Sequence, residues 1–417
     1  MNPYRSVLRH RRLSLLLAGD FAAKLGDGML LVALPLLALD IHGPLSEALA
    51  VSLVLAAPTL LSLPIGLRVG LSRYRPDPKK VIALDCLVRS TVLTTLAVLA
   101  LREVLTLWPL FFAMLFGSVL RPIAGASRRL LATSMMAEED RLAVNSVLGT
   151  NDSTAVYILG PSLAGVLVVL TGSWLPMLLA GLSFLLLAGA LIGLPTPERT
   201  RPADGPVSSG WEILRRTAGL WPLFFVAFSF NLLWGPVEVI LPLFVRQDLD
   251  GSEAAYGFLM TSLGVGAVVG SISAAYFRRY PPARVLTWLI VGFGLSLGLL
   301  ASAPHIPVAF VAIAVGGLLW APFVPVMYTL IQSRVPEGDQ QPVLTFWSSG
   351  YNLAGPLGVL CGAPLVALFG TRGAMYLSAA LTVSLVVPAV LAGRGLRDRR
   401  EGPIGVGGGP DRNANRT

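Results

Sequence analysis

Three ionisable side chains stand inside one apolar run. Between Leu13 and Leu39 the sequence LSLLLAGDFAAKLGDGMLLVALPLLAL carries Asp20, Lys24 and Asp27. Their i,i+4 and i,i+3 spacing places all three on one stripe of a helix. A charge at the centre of a bilayer costs roughly 2.5–3.5 kcal/mol, so the stripe must face a polar cavity or partner charges from other helices. The chemistry open to such a stripe is proton carriage. A carboxyl in a low dielectric holds its proton, and a nearby cation drives it off. That reading makes Asp20 or Asp27 the carrier and requires water to reach it from one side. The other reading is a packing network in which the three charges neutralise one another.

Other candidates lie further along. Arg121 stands about one third of the way from an end of another apolar run, where it either joins the proton chemistry or snorkels to the membrane surface. Asp85 and Arg89 have the i,i+4 spacing of a local ion pair. Asn151 and Asp152 precede Gly160-Pro161; they either face a cavity or help the helix bend around Pro161. Asn231, Trp234 and Glu238 fall on neighbouring turns of one run, and Phe346, Trp347, Tyr351 and Asn352 on another. Aromatic rings with a few polar groups suit an amphipathic ligand, and Glu238 favours a cationic one. For each ring the plainer alternative is helix packing.

Positioning such groups takes membrane helices, and the composition supplies them. Of 417 residues, 54% are hydrophobic and 13% charged, and the mean hydropathy is +0.71. Apolar runs near 13–39, 48–69, 81–100, 104–126, 143–170 and 174–194 are followed by runs near 220–245, 254–277, 285–303, 306–331, 343–368 and 373–393. About 20 apolar residues cross the hydrocarbon, so the chain reads as an all-α polytopic membrane protein with twelve transmembrane helices. The net charge of +9 sits in short connections and tails, which argues against nucleic acid and for topology and anionic lipid. Arg5, Arg9, Arg11, Arg12, Arg68, Arg73, Arg75, Lys79, Lys80, Arg128, Arg129, Arg141, the linker arginines, Arg278, Arg279, Arg284 and Arg334 fall on one side, against Arg102, Arg246 and Arg372 on the other. That asymmetry places both termini in the cytoplasm.

Several chemistries find no support. The glycines of GVGAVVG at 264–270 lack dinucleotide spacing and read as close helix packing. The GxSxG pattern at 294–298 lies inside an apolar run, without the strand and turn that a nucleophile needs. No Gly-Lys dipeptide exists to form a phosphate loop, and His10, His42 and His305 are isolated, so no metal site, cofactor or enzyme activity is expected. Cys86 and Cys361 read as buried thiols. The first apolar run is too long and too charged for a cleaved signal.

The two sets of runs echo each other. Leu34-Pro35-Leu36-Leu37 is matched by Leu241-Pro242-Leu243-Phe244, Arg121-Pro122 with the acidic 138–140 loop by Ala321-Pro322 with the 337–339 loop, and Gly160-Pro161 by Gly355-Pro356. Matching order and offset argue for two pseudo-symmetric six-helix bundles with substrate bound between them. The expected division is an N-terminal bundle over 1–194, a Pro- and Gly-rich cytoplasmic linker over 195–219, a C-terminal bundle over 220–393 and a disordered tail over 394–417.

These residues resemble the major facilitator superfamily, and more narrowly its bacterial proton-coupled drug and siderophore exporters. RPIAG at 121–125 is similar to the family's fourth-helix arginine motif, with Ala124 where glutamine is common. GPSLAG at 160–165 is similar to the fifth-helix motif of antiporters, with Ala164 for a glycine. Leu25-Gly26-Asp27-Gly28, Tyr256-Gly257, Gly264, Gly266 and Gly270 fit the same branch. In the loop after the second run, Gly70 stands where the family carries aspartate, and Pro76 and Pro78 interrupt the usual turn. The resemblance implies proton coupling through Asp20, Lys24, Asp27 and Arg121. It implies gating at Gly160, Pro161 and Gly165, with the Asp85–Arg89 pair beside them, and a monomer in the bacterial inner membrane. The expected function is proton antiport of small amphipathic drugs or natural products, with small-molecule substrate, protons and lipid as partners. Uptake, lipid flipping and a non-transporting sensor or scaffold are the alternatives.

Overall fold

The computed structural model describes residues 10–71, 77–136, 144, 147–149, 151–194, 210–217, 219–273, 280–332, 334–335 and 337–394. Every regular element among them is helical. The first six spans are α1 (Arg11–Asp40), α2 (Glu47–Leu60, resuming as Ser62–Leu71), α3 (Pro78–Leu101), α4 (Leu107–Gly117, resuming as Arg121–Ser134), α5 (Asp152–Leu159 and Gly160–Thr171) and α6 (Trp174–Ala190). A short helix, Gly210–Arg216, stands at the end of the linker. Then follow α7 (Leu220–Leu243 with the turn Phe244–Asp248), α8 (Glu253–Ser273), α9 (Pro282–Ala301) and α10 (Ile306–Trp320 and Phe323–Gln332). The run Glu337–Ser384 contains two spans, because Gly370 adopts φ 68° and ψ 177°. The part before it is α11; the part after it, continuing through Val386–Arg394, is α12.

Local chemistry fixes the ends. Asp77 accepts from the Lys79 and Lys80 amides and Pro78 takes the first position of α3, while the Ser46 hydroxyl accepts from the Leu49 amide at the start of α2. Lys79 also donates to the Leu194 carbonyl over 2.9 Å, tying the start of α3 to the end of α6. Ten helical runs among the described residues are long and apolar enough to cross a bilayer, one of them the run across Gly370, and the 17-residue α6 is as apolar. Together these make the twelve spans that hydropathy leads one to expect. Leu170, Leu186, Ile192 and Phe116 point outward and exposed, as a lipid-facing surface requires.

Two halves emerge from the packing. In the first, α1 lies against α5 and α6, and α3 against α4 and α6. In the second, α7 lies against α11, α8 against α10, and α9 against α10 and α12. The echo of Gly160-Pro161 in Gly355-Pro356 has a spatial counterpart. A Cβ on Gly160 would come within 2.6 Å of Gly28, so α5 and α1 touch backbone to backbone. Gly235 of α7 meets Gly358 and Val359 of α11 in the same way. The glycines at 264–270 do pack a helix: Gly266 and Gly270 lie on the Ala314 and Leu318 carbonyls of α10.

The halves meet through α5 on α8 and α2 on the run Glu337–Ser384. A Cβ on Gly257 would stand 2.7 Å from Gly165, and the Thr261 hydroxyl donates to the Ile158 carbonyl at 3.3 Å. Below, the end of the bundle where α1 begins is the near end and the end at Asp40 the far end. Two expectations fail here. The fourth span does not stop near 126 but runs to Ser134, which moves Arg128 from a loop into a helix. Cys86 is buried, but Cys361 is exposed, because its turn of α11 faces away from the bundle.

Candidate functional site

The α1 stripe meets partner charges, each from a different helix. Asp20 pairs with Arg128 of α4 at 3.2 Å and accepts from the Asn151 amide of α5 at 3.4 Å, the same amide donating to the Leu17 carbonyl at 3.0 Å. Lys24 pairs with Asp152 of α5 at 2.6 Å. Asp27 pairs with Arg89 of α3, whose guanidinium also lies 3.9 Å from the centre of the Phe184 ring of α6. The three α1 charges therefore do not neutralise one another.

Burial divides these pairs. Asp20 is 3% exposed and Asp27 7%, with Arg128 and Arg89 equally enclosed. In the Lys24–Asp152 pair the side chains are 22% and 41% exposed, so it alone of the three is partly open. Arg121 is exposed, yet close enough for its charge to act on Asp27, Asp85 and Tyr157. The expected vestibule around Asp20 and Asp27 is thus replaced by guanidinium groups from α3 and α4. A buried pair of this kind is costly to break and, once formed, holds its helices in register.

The local Asp85–Arg89 pair is likewise corrected. Arg89 turns to Asp27, and buried Asp85, 2% exposed, keeps one carboxylate oxygen without a hydrogen-bond partner, as does Nη1 of Arg89. Spacing along α3 permits the local pair; tertiary packing offers Arg89 a carboxylate on α1 instead.

A cavity of about 260 Å³ lies between the halves. The first half gives it Leu31, Leu55, Tyr157 and Pro161. The second half gives more: Asn231, Trp234, Glu238, Tyr256, Trp320, Tyr351, Asn352 and the apolar Met260, Leu263 and Phe293. Glu238 is its one acidic group, and the Trp234 indole donates to that carboxylate at 2.6 Å. Among the described residues no cation pairs with it. Asn231 donates to the Tyr351 carbonyl at 2.7 Å, joining α7 to α11. The Trp320 indole N–H and the Tyr351 hydroxyl, neighbours in the cavity wall, interact with each other without forming a well-shaped hydrogen bond.

Of the expected ligand contacts, Asn231, Trp234, Glu238, Tyr351 and Asn352 line this space, while four others do not. Phe346 packs on Trp211 of the linker helix and on Phe224. Trp347 is fully buried, stacked on Tyr351 and tilted against Tyr328. Asn151 and Asp152 are taken up by α1. Pro161 lines the cavity, and Gly160 and Gly165 serve contacts of α5 with α1 and α8. Sequence reasoning missed Tyr157 and Trp320, isolated aromatics with no pattern around them, and took Tyr256 only as part of the Tyr256-Gly257 motif, not as a cavity residue. It also missed Arg128, whose i,i+7 spacing from Arg121 put it on the same helix face all along.

Polar ties close the far end. Arg246 reaches Asp40 across the halves at 3.3 Å and Gln247 reaches Glu47 at 2.6 Å. The next residue, Asp248, accepts from Thr371 at 2.6 Å and from Arg372 at 3.0 Å. On the near-end portions of α4 and α5, by contrast, a Cβ on Gly125 or Gly149 would meet nothing within 4 Å. Gly66 and Gly70 lie in helical backbone, and Arg73 and Arg75 of the altered loop fall outside the described residues.

Known proteins match over half of the chain or more. The multidrug efflux pump Tap of Mycolicibacterium fortuitum is 25% identical over 402 residues, 90% of this chain and 93% of that protein. Its namesake in Mycobacterium tuberculosis strain H37Rv is 29% identical over 242 residues, so the chain spans just over half, 56%, of that relative. The enterobactin exporter EntS of Shigella flexneri is 26% identical over 277 residues, 65% of this chain and 62% of the exporter. Among solved structures, a bacterial homologue of the human lysosomal transporter Spinster, inward-facing and unoccupied, superposes with TM-score 0.70 at 13% identity over 97% of this chain and all of that one. A bacterial homologue of the iron transporter ferroportin, inward-facing, gives 0.68 at 18% identity over 92% and 98%. The Major Facilitator Superfamily model matches residues 16–250 and 232–413. With twelve helices in two matching halves around a central cavity, and that model matched over most of its length, the chain belongs to the Major Facilitator Superfamily.

Proposed function

We propose that the protein is a secondary exporter of small lipophilic cations, drugs or natural products, driven by inward proton movement through alternating access. The observation that carries this reading is Glu238. Among the described residues it is the one acid in a cavity walled by Tyr157, Trp234, Tyr256, Trp320 and Tyr351, and no cation of the protein pairs with it. A carboxylate among aromatic faces attracts a cation with an apolar body, through charge and through the rings. The efflux names of the relatives support the direction, and the positive-inside rule assigns the arginine-rich near end to the cytoplasm.

The two ends support alternating access. The far-end ties and the Gly165–Gly257 contact hold the halves together there, while at the near end a Cβ on Gly125 or Gly149 would meet open space. A ligand bound at Glu238 biases the balance between this state and its opposite only by binding the two unequally. Proton coupling is assigned to the charged groups of the first half. Asp20 and Asp27 are ion-paired in this state, while the Lys24–Asp152 pair and Arg121, the more exposed charges, exchange partners as the halves rock. Proton antiport also places the substrate acid and the proton-linked groups in different halves.

Reconstitution into proteoliposomes tests this with ethidium as the lipophilic cation. An imposed pH gradient is expected to drive ethidium accumulation, and Glu238→Gln to reduce it. Accumulation indifferent to the gradient rejects proton coupling. An undiminished Glu238→Gln variant rejects Glu238 as the cation-binding group.

A further inference from the structure

The sealed charges of the first half do not balance. Asp20, Asp27 and Asp85 are each at most 7% exposed, and the guanidinium groups enclosed with them are those of Arg128 and Arg89. Three carboxyls therefore share two cations. Arg128 is taken by Asp20 and Arg89 by Asp27. Asp85 is left with an oxygen that has no hydrogen-bond partner.

Among the described residues, the surroundings of Asp85 hold no other enclosed cation. From α1 it is faced by Asp27, from α4 by Arg128 and the more distant, exposed Arg121, and along α3 by Arg89 and the Cys86 thiol. The α6 segment that packs on α3 carries no ionisable residue. Lys24 is engaged by Asp152. A buried carboxylate without a counter-ion takes up a proton rather than stay ionised. A metal cation is a poor substitute here, because hard cations need several oxygen ligands and two guanidinium groups stand nearby.

We propose that Asp85 is a proton-binding site, occupied in this state and emptied when Arg89 moves from Asp27 to Asp85. Asp85 gains a proton to become the neutral acid and releases it when the guanidinium takes its place. The geometry for that exchange is already present. Arg89 stands one turn along α3 from Asp85, at the i,i+4 spacing of a local pair, and its Nη1 is unengaged. Arg121, whose charge already reaches Asp27, takes over its compensation as Arg89 leaves, so the proton goes to water rather than to Asp27, and occupancy at Asp85 is coupled to the Asp27–Arg89 tie between α1 and α3. This assignment rests on the proton-antiport reading above and names a residue that would carry its proton.

Infrared spectroscopy of the purified full chain reads the carboxyl directly. The wild type at neutral pH is expected to show the carbonyl-stretch band of a protonated carboxylic acid that persists in Glu238→Gln and is lost in Asp85→Asn. An amide matches the neutral acid in shape and charge, so Asp85→Asn is expected to stay monodisperse with an unchanged melting temperature. Absence of the band in Glu238→Gln, its survival in Asp85→Asn, its removal by added sodium, or failure of Asp85→Asn to fold would each overturn the assignment. The ethidium assay separates the two readings. Gradient-driven accumulation without the band leaves the exporter standing and removes Asp85 from it; the band without accumulation leaves a protonated Asp85 in a protein that is not this antiporter.

Discussion

At the middle of the first half, between α1, α3 and α4, five ionisable side chains are packed away from solvent: Asp20, Asp27, Asp85, Arg89 and Arg128. At the middle of the second half there are rings and amides, with Glu238 the one acid in the cavity wall. Both halves use the same backbone plan, α1 against α5 and α7 against α11 through facing glycines. A shared scaffold thus carries unlike contents. Ion pairs hold several helices at fixed spacing but offer a ligand nothing, whereas rings around a lone carboxylate leave space and unspent hydrogen-bonding capacity. One half has the features of a rigid coupling element and the other those of a binding surface.

Breaking the comparison at its stiffest point gives the largest effect. Arg89→Ala leaves Asp27 buried without its partner, which costs about 3–5 kcal/mol, and thermal melting in detergent should show a marked drop. Next comes the seam between the halves. A valine at Gly165 would drive its branched side chain into Gly257 and Ala254. Overpacking of that kind costs about 1–3 kcal/mol, visible as lower stability together with slowed ethidium transport.

The cavity is sharpened by Glu238→Gln, which keeps shape and removes charge. Ethidium affinity should fall about tenfold, the ~1.4 kcal/mol scale of a charge-assisted contact, with melting left near wild type. A neutral analogue of ethidium should lose little. The smallest effect belongs to the far end. The Asp40 and Arg246 side chains are about half exposed, so Asp40→Asn should change stability by no more than ~1 kcal/mol. Its measurable consequence is faster labelling of a cysteine placed beside Arg246, because the tie resists opening there.

Much of the architecture was legible in the sequence, because lipid forces hydropathy and span length to agree. Part of the internal echo was readable where it has a packing cause, Gly160 and Gly355 lying where α5 meets α1 and α11 meets α7 backbone to backbone. Pairing was not readable. Asp27 was recognisable as needing a cation, yet Arg89 lies 62 positions away, and the local arithmetic of α3 pointed instead to Asp85. Arg128 was hidden by the rule that places arginines in loops, which holds for counts and not for each residue. Trp347 and Phe346 looked like ligand contacts by type, but the side of the helix they occupy turns them into packing. Tyr157, Tyr256 and Trp320 reach the cavity only because α5, α8 and α10 converge there.

Cys361 has a practical consequence. The chain holds two cysteines, and the other, Cys86, is enclosed, so the natural sequence already carries a lone addressable thiol. Leu353, Leu357, Leu360 and Leu368 on the same stretch are exposed as well, which sets that sulfur among acyl chains rather than in water. A membrane-soluble maleimide should therefore modify it while ionised reagents pass it by. A fluorophore or spin label attached there would report the tilt of α11 from inside the bilayer, with no engineered background needed.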